Sequence, residues 1–165
     1  MSDLIKDEKK LPLSIDFLYN NNILDVFNML CVLNGFRNKR SGMTVDELTF
    51  FLSIVTSRNF NNLIQAFEKS PVDQHFIVLS NYYYYESKIR KLILNASDLG
   101  LISFTSNKEE KIDYNFKIKI SISGAEKIEA LEDNFFKDLI AKITKTKITI
   151  KYKKTNLSIL QGGIL

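Results

Sequence analysis

The sequence predicts an α+β, mainly helical protein, and residues 87–132 carry most of that prediction. Apolar residues recur there at helical spacing until Leu-Gly-Leu at 99–101, which is typical of a helix end. Apolar and polar residues then alternate over 114–122, the pattern of a half-buried strand. Ser-Gly-Ala-Glu at 123–126 begins another helix with a capping box. The predicted order is a helix, two strands around a charged loop, and a helix.

Four helices are predicted before this segment. They cover 15–33, 44–56, 59–69 and 72–85, and the first 12 residues are expected to form a flexible arm. Thr44 and Glu47 form a capping box, and Ser70-Pro71 separates the last two helices. The next helix, 86–98, is expected to bury one stripe of its surface, formed by Ile89, Leu92, Ile93, Ala96 and Leu99. The helix that begins at 123 is expected to continue through Ile140.

These elements predict a winged helix-turn-helix domain over residues 13–141. Residues 106–111 would form the loop of the wing, and helix 86–98 would take the place of the recognition helix. A minimal helix-turn-helix has no room for residues 58–85, which are therefore predicted to be a helical insertion before the recognition-type helix. Residues 142–165 are predicted to form a basic extension with a short strand, because Ile148, Ile150 and Tyr152 alternate with polar residues.

Composition places the chain among ordinary globular proteins, with 45% hydrophobic and 25% charged residues. No apolar run approaches the roughly 18–20 residues that cross a bilayer. The charged N-terminus lacks the apolar centre of a signal peptide. The single cysteine, Cys31, cannot form an internal disulfide and suits a reducing compartment. We therefore expect a cytoplasmic location.

Residues that usually carry chemistry are scarce in this chain. One histidine, His75, and one cysteine are too few for a zinc site built from the usual ligands. The six glycines are scattered and form no phosphate-binding loop, and no nucleophile or kinase motif occurs. We expect a protein that is not an enzyme, with no catalytic residues, no bound metal and no cofactor. His75 is assigned to a surface or capping role, and Cys31 to core packing.

Basic residues supply the candidate DNA contacts. The net charge is +4, and 19 lysines outnumber four arginines, which favours contact with phosphates over reading of bases. Leu94 and Asp98, on the recognition-type helix, count against DNA, since leucine prefers an apolar partner and aspartate repels phosphate. A solvated polar face, or lysines that protect an edge strand, would explain the same pattern. The candidates lie on that helix, on the wing and its strands, and in the extension: Arg90, Lys91, Lys108, Lys111, Lys117, Lys119, Lys147, Lys151 and Lys153.

Four tyrosines and one leucine supply the candidate protein contacts. The tyrosines are consecutive, Tyr82, Tyr83, Tyr84 and Tyr85, so on a helix at least one of them faces outward. Tyrosine is enriched in interfaces because it offers a large contact area at low entropy cost. Leu94, in the middle of an outward helix face, completes the predicted interface. Stacking of the tyrosines on bases is the competing interpretation.

The layout resembles the middle component of bacterial ABC-three-component systems, which include the Lamassu-type anti-phage defence systems. The likeness covers residues 17–132: the helix 23–33, the capped helix 44–55, the insertion, the exit Leu-Gly-Leu-Ile at 99–102, and the wing. It implies a non-catalytic accessory subunit, for assembly or DNA sensing, beside an SMC/Rad50-like ATPase and an effector subunit. Such a subunit would help to sense or hold DNA. From the lysines we expect contact with the backbone of double-stranded DNA, and we expect no membrane partner.

The alternative function is a homodimeric winged-helix transcriptional regulator that binds specific DNA. That function requires a palindromic site and base contacts from the recognition-type helix. The scarcity of arginine counts against it. A small adaptor from a toxin–antitoxin pair or from a phage fits the same sequence.

Overall fold

The computed structural model describes residues 21–68, 80–105, 116–131 and 134–161. The helices are α1 Asn22–Gly35, α2 Val45–Val55, α3 Phe60–Glu68, α4 Ser80–Asp98, α5 Ile122–Glu129, α6 Asn134–Thr149 and α7 Lys154–Leu160, and the strands are β1 Ile102–Thr105 and β2 Lys117–Ile120. The architecture is α+β and mainly helical, which confirms the predicted class. Within the described ranges, no helix combines the length and the apolar character that a membrane span requires.

Helices α1 and α2 form the centre of the fold. Burial is almost continuous from Asp25 to Leu33 in α1 and from Glu47 to Val55 in α2. Helices buried on every side must be enclosed by other elements. α4 packs against both of them, and so does α6. The α1–α2 pair therefore lies between the two longest helices, α4 and α6.

Local signals fix where the two central helices begin. Asn21 caps α1 by accepting a hydrogen bond from the Leu24 amide at 3.0 Å. The predicted helix 15–33 is therefore wrong at its start, because the helix does not run unbroken through residue 21; residues 15–20 lie outside the described ranges. Thr44 caps α2 as predicted, with Oγ1 3.2 Å from the Glu47 amide. The Glu47 carboxylate binds Lys39 Nζ at 2.6 Å instead of completing the capping box.

The two strands form a small antiparallel sheet tied to the helical core. Ile102 lies opposite Ile120, and Thr105 lies opposite Lys117. Met43, in the segment between α1 and α2, adds a bridge to the middle of β2. The Met43 amide donates to the Ile118 carbonyl at 2.9 Å, and the Ile118 amide donates back at 2.8 Å. Both side chains are buried, so the sheet is fixed to the core at this point.

Gly100 turns the chain from α4 into β1. Its φ of 66° lies in the left-handed region that glycine adopts without strain, which confirms the predicted turn. Leu99 follows the last helical residue and is 67% exposed. Its predicted burial is wrong, because the turn carries it away from the buried stripe of α4. The other four predicted core residues of this helix are buried.

Helix α4 is longer than predicted. It begins at Ser80 and continues without a break to Asp98, so the predicted boundary between Tyr85 and Glu86 is wrong. The reason is that Tyr82 and Tyr85 continue the buried 3/4 spacing of Ile89, Leu92, Ile93 and Ala96 toward the N-terminus. The predicted insertion 58–85 therefore contains α3 and the first residues of α4, and its residues 69–79 lie outside the described ranges.

Helix α5 begins two residues before its predicted start. Ser121 is the cap, with Oγ 3.0 Å from the Gly124 amide, and the same hydroxyl donates to the Gly100 carbonyl at 2.7 Å. The prediction of Ser123 as the cap is wrong. Ile122, predicted as the last residue of the strand, is 81% exposed in the first turn of α5. The helix ends at Glu129, so it does not continue to Ile140 as predicted.

Helix α6 replaces the predicted C-terminal strand. Residues Leu139, Ile143, Thr146 and Ile150 are buried at intervals of four, three and four, which is helical spacing. The short strand predicted around Ile148, Ile150 and Tyr152 is therefore wrong: α6 continues to Thr149, and α7 follows at Lys154. α6 also crosses the predicted boundary at 141/142 without a break. It lies close to the end of α1, since a Cβ on Gly35 would sit 2.5 Å from Ile143 Cγ2.

Candidate interaction surfaces

The outward face of α4 is the surface that sequence analysis singled out. Every third or fourth residue from Tyr83 onward is exposed, in the order Tyr83, Ser87, Arg90 and Lys91, Leu94, and Asp98. Leu94 lies in the middle of this face and is 61% exposed. The exposed charges cancel, because Glu86 and Asp98 match Arg90 and Lys91. An apolar side chain on a neutral face suits a protein partner better than a phosphate backbone.

The four tyrosines divide into two that face the core and two that face outward. Tyr82 and Tyr85 are buried, while Tyr83 and Tyr84 are exposed. This confirms the prediction that at least one of them faces out. The exposed pair is nevertheless bonded: the Tyr83 hydroxyl donates to the Gln161 carbonyl at 2.7 Å. The predicted role of all four in a partner interface stays a prediction, and the geometry limits it to Tyr83 and Tyr84.

A polar cluster attaches the first turns of α4 to α1. The buried carboxylate of Asp25 accepts hydrogen bonds from the Tyr84 hydroxyl at 2.7 Å and the Tyr85 hydroxyl at 3.3 Å. Lys88 Nζ donates to the Tyr84 oxygen at 2.7 Å and lies 3.8 Å from the Asp25 carboxylate. Burial raises the pKa of the Tyr85 phenol, and burial together with Asp25 raises the pKa of Tyr84. Both phenols therefore stay protonated and serve as donors.

The same cluster contains one unpaired polar atom. Asn28, one turn after Asp25, is buried, and its Oδ1 has no hydrogen-bond partner among the described residues. Sequence analysis missed Asp25 and Asn28, because polar residues in a mainly apolar helix are usually expected to be exposed to solvent. The signal that could have found them is their spacing of three, which places both on one face of α1.

A groove lies between the start of α1 and the end of α4. It has a volume of about 580 Å³, and its walls are mainly apolar: Asn22, Ile23, Val26, Phe27, Asn95, Asp98, Leu99, Leu101 and Lys127 line it. Ile23 is 72% exposed at its edge. Leu94 and Asp98 are one helical turn apart, so the exposed leucine adjoins this groove. Sequence analysis did not find the groove, because Ile23 and Leu99 come together only in the fold.

Two of the basic residues predicted for the wing lie on β2. Lys117 and Lys119 are half-buried on β2, opposite Thr105 and Ser103. Lys108 and Lys111 lie outside the described ranges. On the other face of the sheet the Phe104 and Phe116 rings are 6.3 Å apart, and both are about half exposed.

The C-terminal lysines are separated by the helix that replaces the predicted strand. Lys147 lies on α6, where its Nζ donates to the Gly35 carbonyl at 2.9 Å and sits 5.5 Å from the Phe36 ring centre. Lys151 and Lys153 are exposed in the segment between α6 and α7. The alternative in which these lysines protect an edge strand is therefore wrong, because residues 134–161 form helices and no strand. Lys147 therefore caps the C-terminal end of α1, where the negative end of the helix dipole favours a cation.

The titratable groups of the core offer no metal site. Cys31 is buried, and burial raises the pKa of its thiol to about 12. In the part of the chain that the structure describes, histidine, cysteine and carboxylate side chains form no group of three or more that could hold a metal ion. His75 lies outside that part.

Comparison of the chain with protein-family models, with curated proteins and with solved structures finds no match.

Proposed function

We propose that this protein is a non-catalytic subunit that binds a partner protein through the outward face of α4 and the adjoining groove. The observation that carries the proposal is Leu94, which is 61% exposed at the centre of the face where a DNA-reading helix would place polar side chains. Ile23 and Leu99 extend the apolar surface into the groove. Exposed apolar surface of this kind, surrounded by polar residues, marks interaction sites.

The order of elements supports a winged-helix reading of the fold. α4 is followed by the Gly100 turn and by two antiparallel strands, and Met43 bridges β2 from the segment between α1 and α2. In that interpretation α4 takes the place of the recognition helix but binds a protein and not DNA. Its exposed charges sum to zero, whereas helices that dock on DNA carry excess positive charge.

The resemblance to the middle component of ABC-three-component systems supplies the identity of the proposed partner. A coiled-coil SMC-like ATPase, acting with an effector subunit in anti-phage defence, would bind the α4 surface. The subunit would then contribute assembly and DNA sensing, and the ATPase and the effector would supply the chemistry.

The experiment is affinity purification of the tagged protein from its native host, followed by mass spectrometry of the chains that co-elute. We expect a large coiled-coil ATPase to be recovered with the wild-type protein and its yield to fall at least tenfold with Leu94→Asp. The matched control is Ile122→Asp, which places the same change at an 81% exposed isoleucine on α5. Circular dichroism of each variant checks that the fold is intact.

Two outcomes would contradict the proposal. Equal recovery of the ATPase with Leu94→Asp would remove the α4 surface from the interface. Recovery of the protein alone, as a dimer that carries one preferred DNA sequence, would favour the transcriptional regulator, and Arg90→Ala would then be expected to relax the choice of site.

A further inference from the structure

Positive charge is concentrated at one end of the described chain. Residues 134–161, which contain α6 and α7, hold seven lysines and one aspartate. Their net charge exceeds the +4 of the whole 165-residue protein, so the rest of the chain is acidic on balance. No arginine occurs among these residues. Lysine without arginine is the composition that suits phosphates and not base edges.

Two of the seven lysines are used within the fold. Lys147 binds the end of α1, and Lys142 Nζ lies 2.7 Å from the Asp138 carboxylate. The remaining five are exposed and form no ion pair within the described ranges. They are Lys137, Lys145, Lys151, Lys153 and Lys154.

Helical geometry places two of these lysines on the outward face of α6. The buried residues of α6, Leu139, Ile143 and Thr146, face the centre of the fold. Lys137 and Lys145 lie on the opposite face, eight residues and therefore about 12 Å apart along the helix axis. Lys151, Lys153 and Lys154 follow the end of α6 in sequence, and all three are exposed. We call these five residues the lysine surface.

We propose that the lysine surface binds the phosphate backbone of duplex DNA without sequence preference. The proposal rests on the proposed function in one respect, because it assigns a second partner to the same subunit. Helices α4 and α6 each pack against the α1–α2 pair, so the two partners are assigned to the outward faces of two different helices. Most of the DNA-binding residues predicted from the sequence lie on the recognition-type helix and the wing. This proposal instead assigns DNA binding to α6 and the segment after it.

The test compares two sets of four substitutions that remove equal charge. One set changes Lys137, Lys145, Lys151 and Lys153 to Gln; the other changes Arg90, Lys91, Lys117 and Lys119 to Gln. Fluorescence anisotropy of the full chain with a labelled random-sequence duplex gives the affinity over a fourfold range of salt concentration. Each neutralised phosphate contributes about 0.9 to the slope of log affinity against log salt, so four contacts lower the affinity roughly a hundredfold over that range.

We expect the lysine-surface set to remove most of this slope and the α4-and-wing set to leave it nearly unchanged. The reverse result, equal effects of the two sets, or no binding of the wild-type protein at low salt would overturn the proposal. The exposed Ile148 beside the lysines makes an anionic membrane the rival ligand. Binding to phosphatidylserine vesicles with no binding to the duplex would also overturn the proposal.

Failure of this inference can be told from failure of the proposed function. Leu94→Asp should retain DNA binding, and the lysine-surface set should retain recovery of the ATPase. Circular dichroism of both sets excludes a loss of fold as the cause.

Discussion

Helices α4 and α6 pack against the same two central helices but are attached by different means. α4 is held in part by a buried polar cluster around Asp25, in which two tyrosine hydroxyls and a lysine share one carboxylate. α6 is held by apolar side chains, and Gly35 lets Ile143 approach the end of α1 closely. Their outward faces differ as well, since α4 presents Leu94 among balanced charges and α6 presents lysines.

The difference teaches that one core can support two unlike surfaces. Apolar packing on the inner face of a helix does not restrict which residues occupy its exposed face. The exposed face of α6 can therefore carry excess charge. A polar cluster fixes the direction of each hydrogen bond, so α4 is held in a defined rotation and its outward stripe is defined with it. The following substitutions test this contrast, and they are ordered from the largest expected effect to the smallest.

The apolar attachment of α6 should give the largest loss of stability. Ile143→Ala leaves a cavity between α6 and α1, and we expect it to lower the free energy of unfolding by about 3 kcal/mol. Urea unfolding followed by circular dichroism measures this. The control is Ile148→Ala on the same helix, where the side chain is 80% exposed and the loss should stay below about 0.5 kcal/mol. A loss below about 1 kcal/mol for Ile143→Ala would mean that α6 is loosely attached.

The polar attachment of α4 should give a smaller loss. Asp25→Ala removes the acceptor of the Tyr84 and Tyr85 hydroxyls, and we expect a cost of about 2 kcal/mol. The same substitution in a Tyr85→Phe background should cost less, because one of the orphaned donors is then absent. Equal costs in the two backgrounds would show that the cluster is not coupled.

Alkaline pH should weaken the attachment of α4 through Tyr85. Burial raises the pKa of Tyr85 above its usual value near 10, so the folded protein keeps a proton that the unfolded chain loses. This contribution to stability is complete below pH 10 and is lost as the pH rises further, by about 1 kcal/mol per pH unit. Tyr85→Phe should flatten the fall in urea-unfolding free energy above pH 10. Ile143→Ala should not change the slope of this fall. Burial also raises the pKa values of Cys31, Tyr82, Tyr84 and Tyr152, but these groups are present in both variants and cancel in the comparison.

Features set by a few adjacent residues could be predicted from the sequence. The Thr44 cap depends on an amide three residues away, and the Gly100 turn depends on the backbone freedom of one residue. Four of the five residues predicted for the buried stripe of α4 are buried, and their spacing alone predicts this. The outward position of Leu94 follows from the same spacing.

Features decided by distant contacts could not be predicted in this way. Both Ser121 and Ser123 are able to cap a helix, and the fold selects Ser121, whose hydroxyl also reaches the Gly100 carbonyl. Residues 146–154 fit both a strand and a helix by composition, and the helix forms because Thr146 and Ile150 continue the buried spacing of Ile143. The groove escaped detection because its walls come from separate parts of the chain.

The Met43 bridge has a consequence for the order in which the protein folds. β1 and β2 are close in sequence, but the middle of β2 is completed only by Met43, which belongs to the segment between the two central helices. Contacts between residues far apart in the chain form late, since closing the intervening loop costs entropy before any bond repays it. We therefore expect the strands to become a stable sheet only after α1 and α2 have packed. In pulsed hydrogen exchange during refolding, the amides of Met43 and Ile118 should gain protection later than the amides of the two helices.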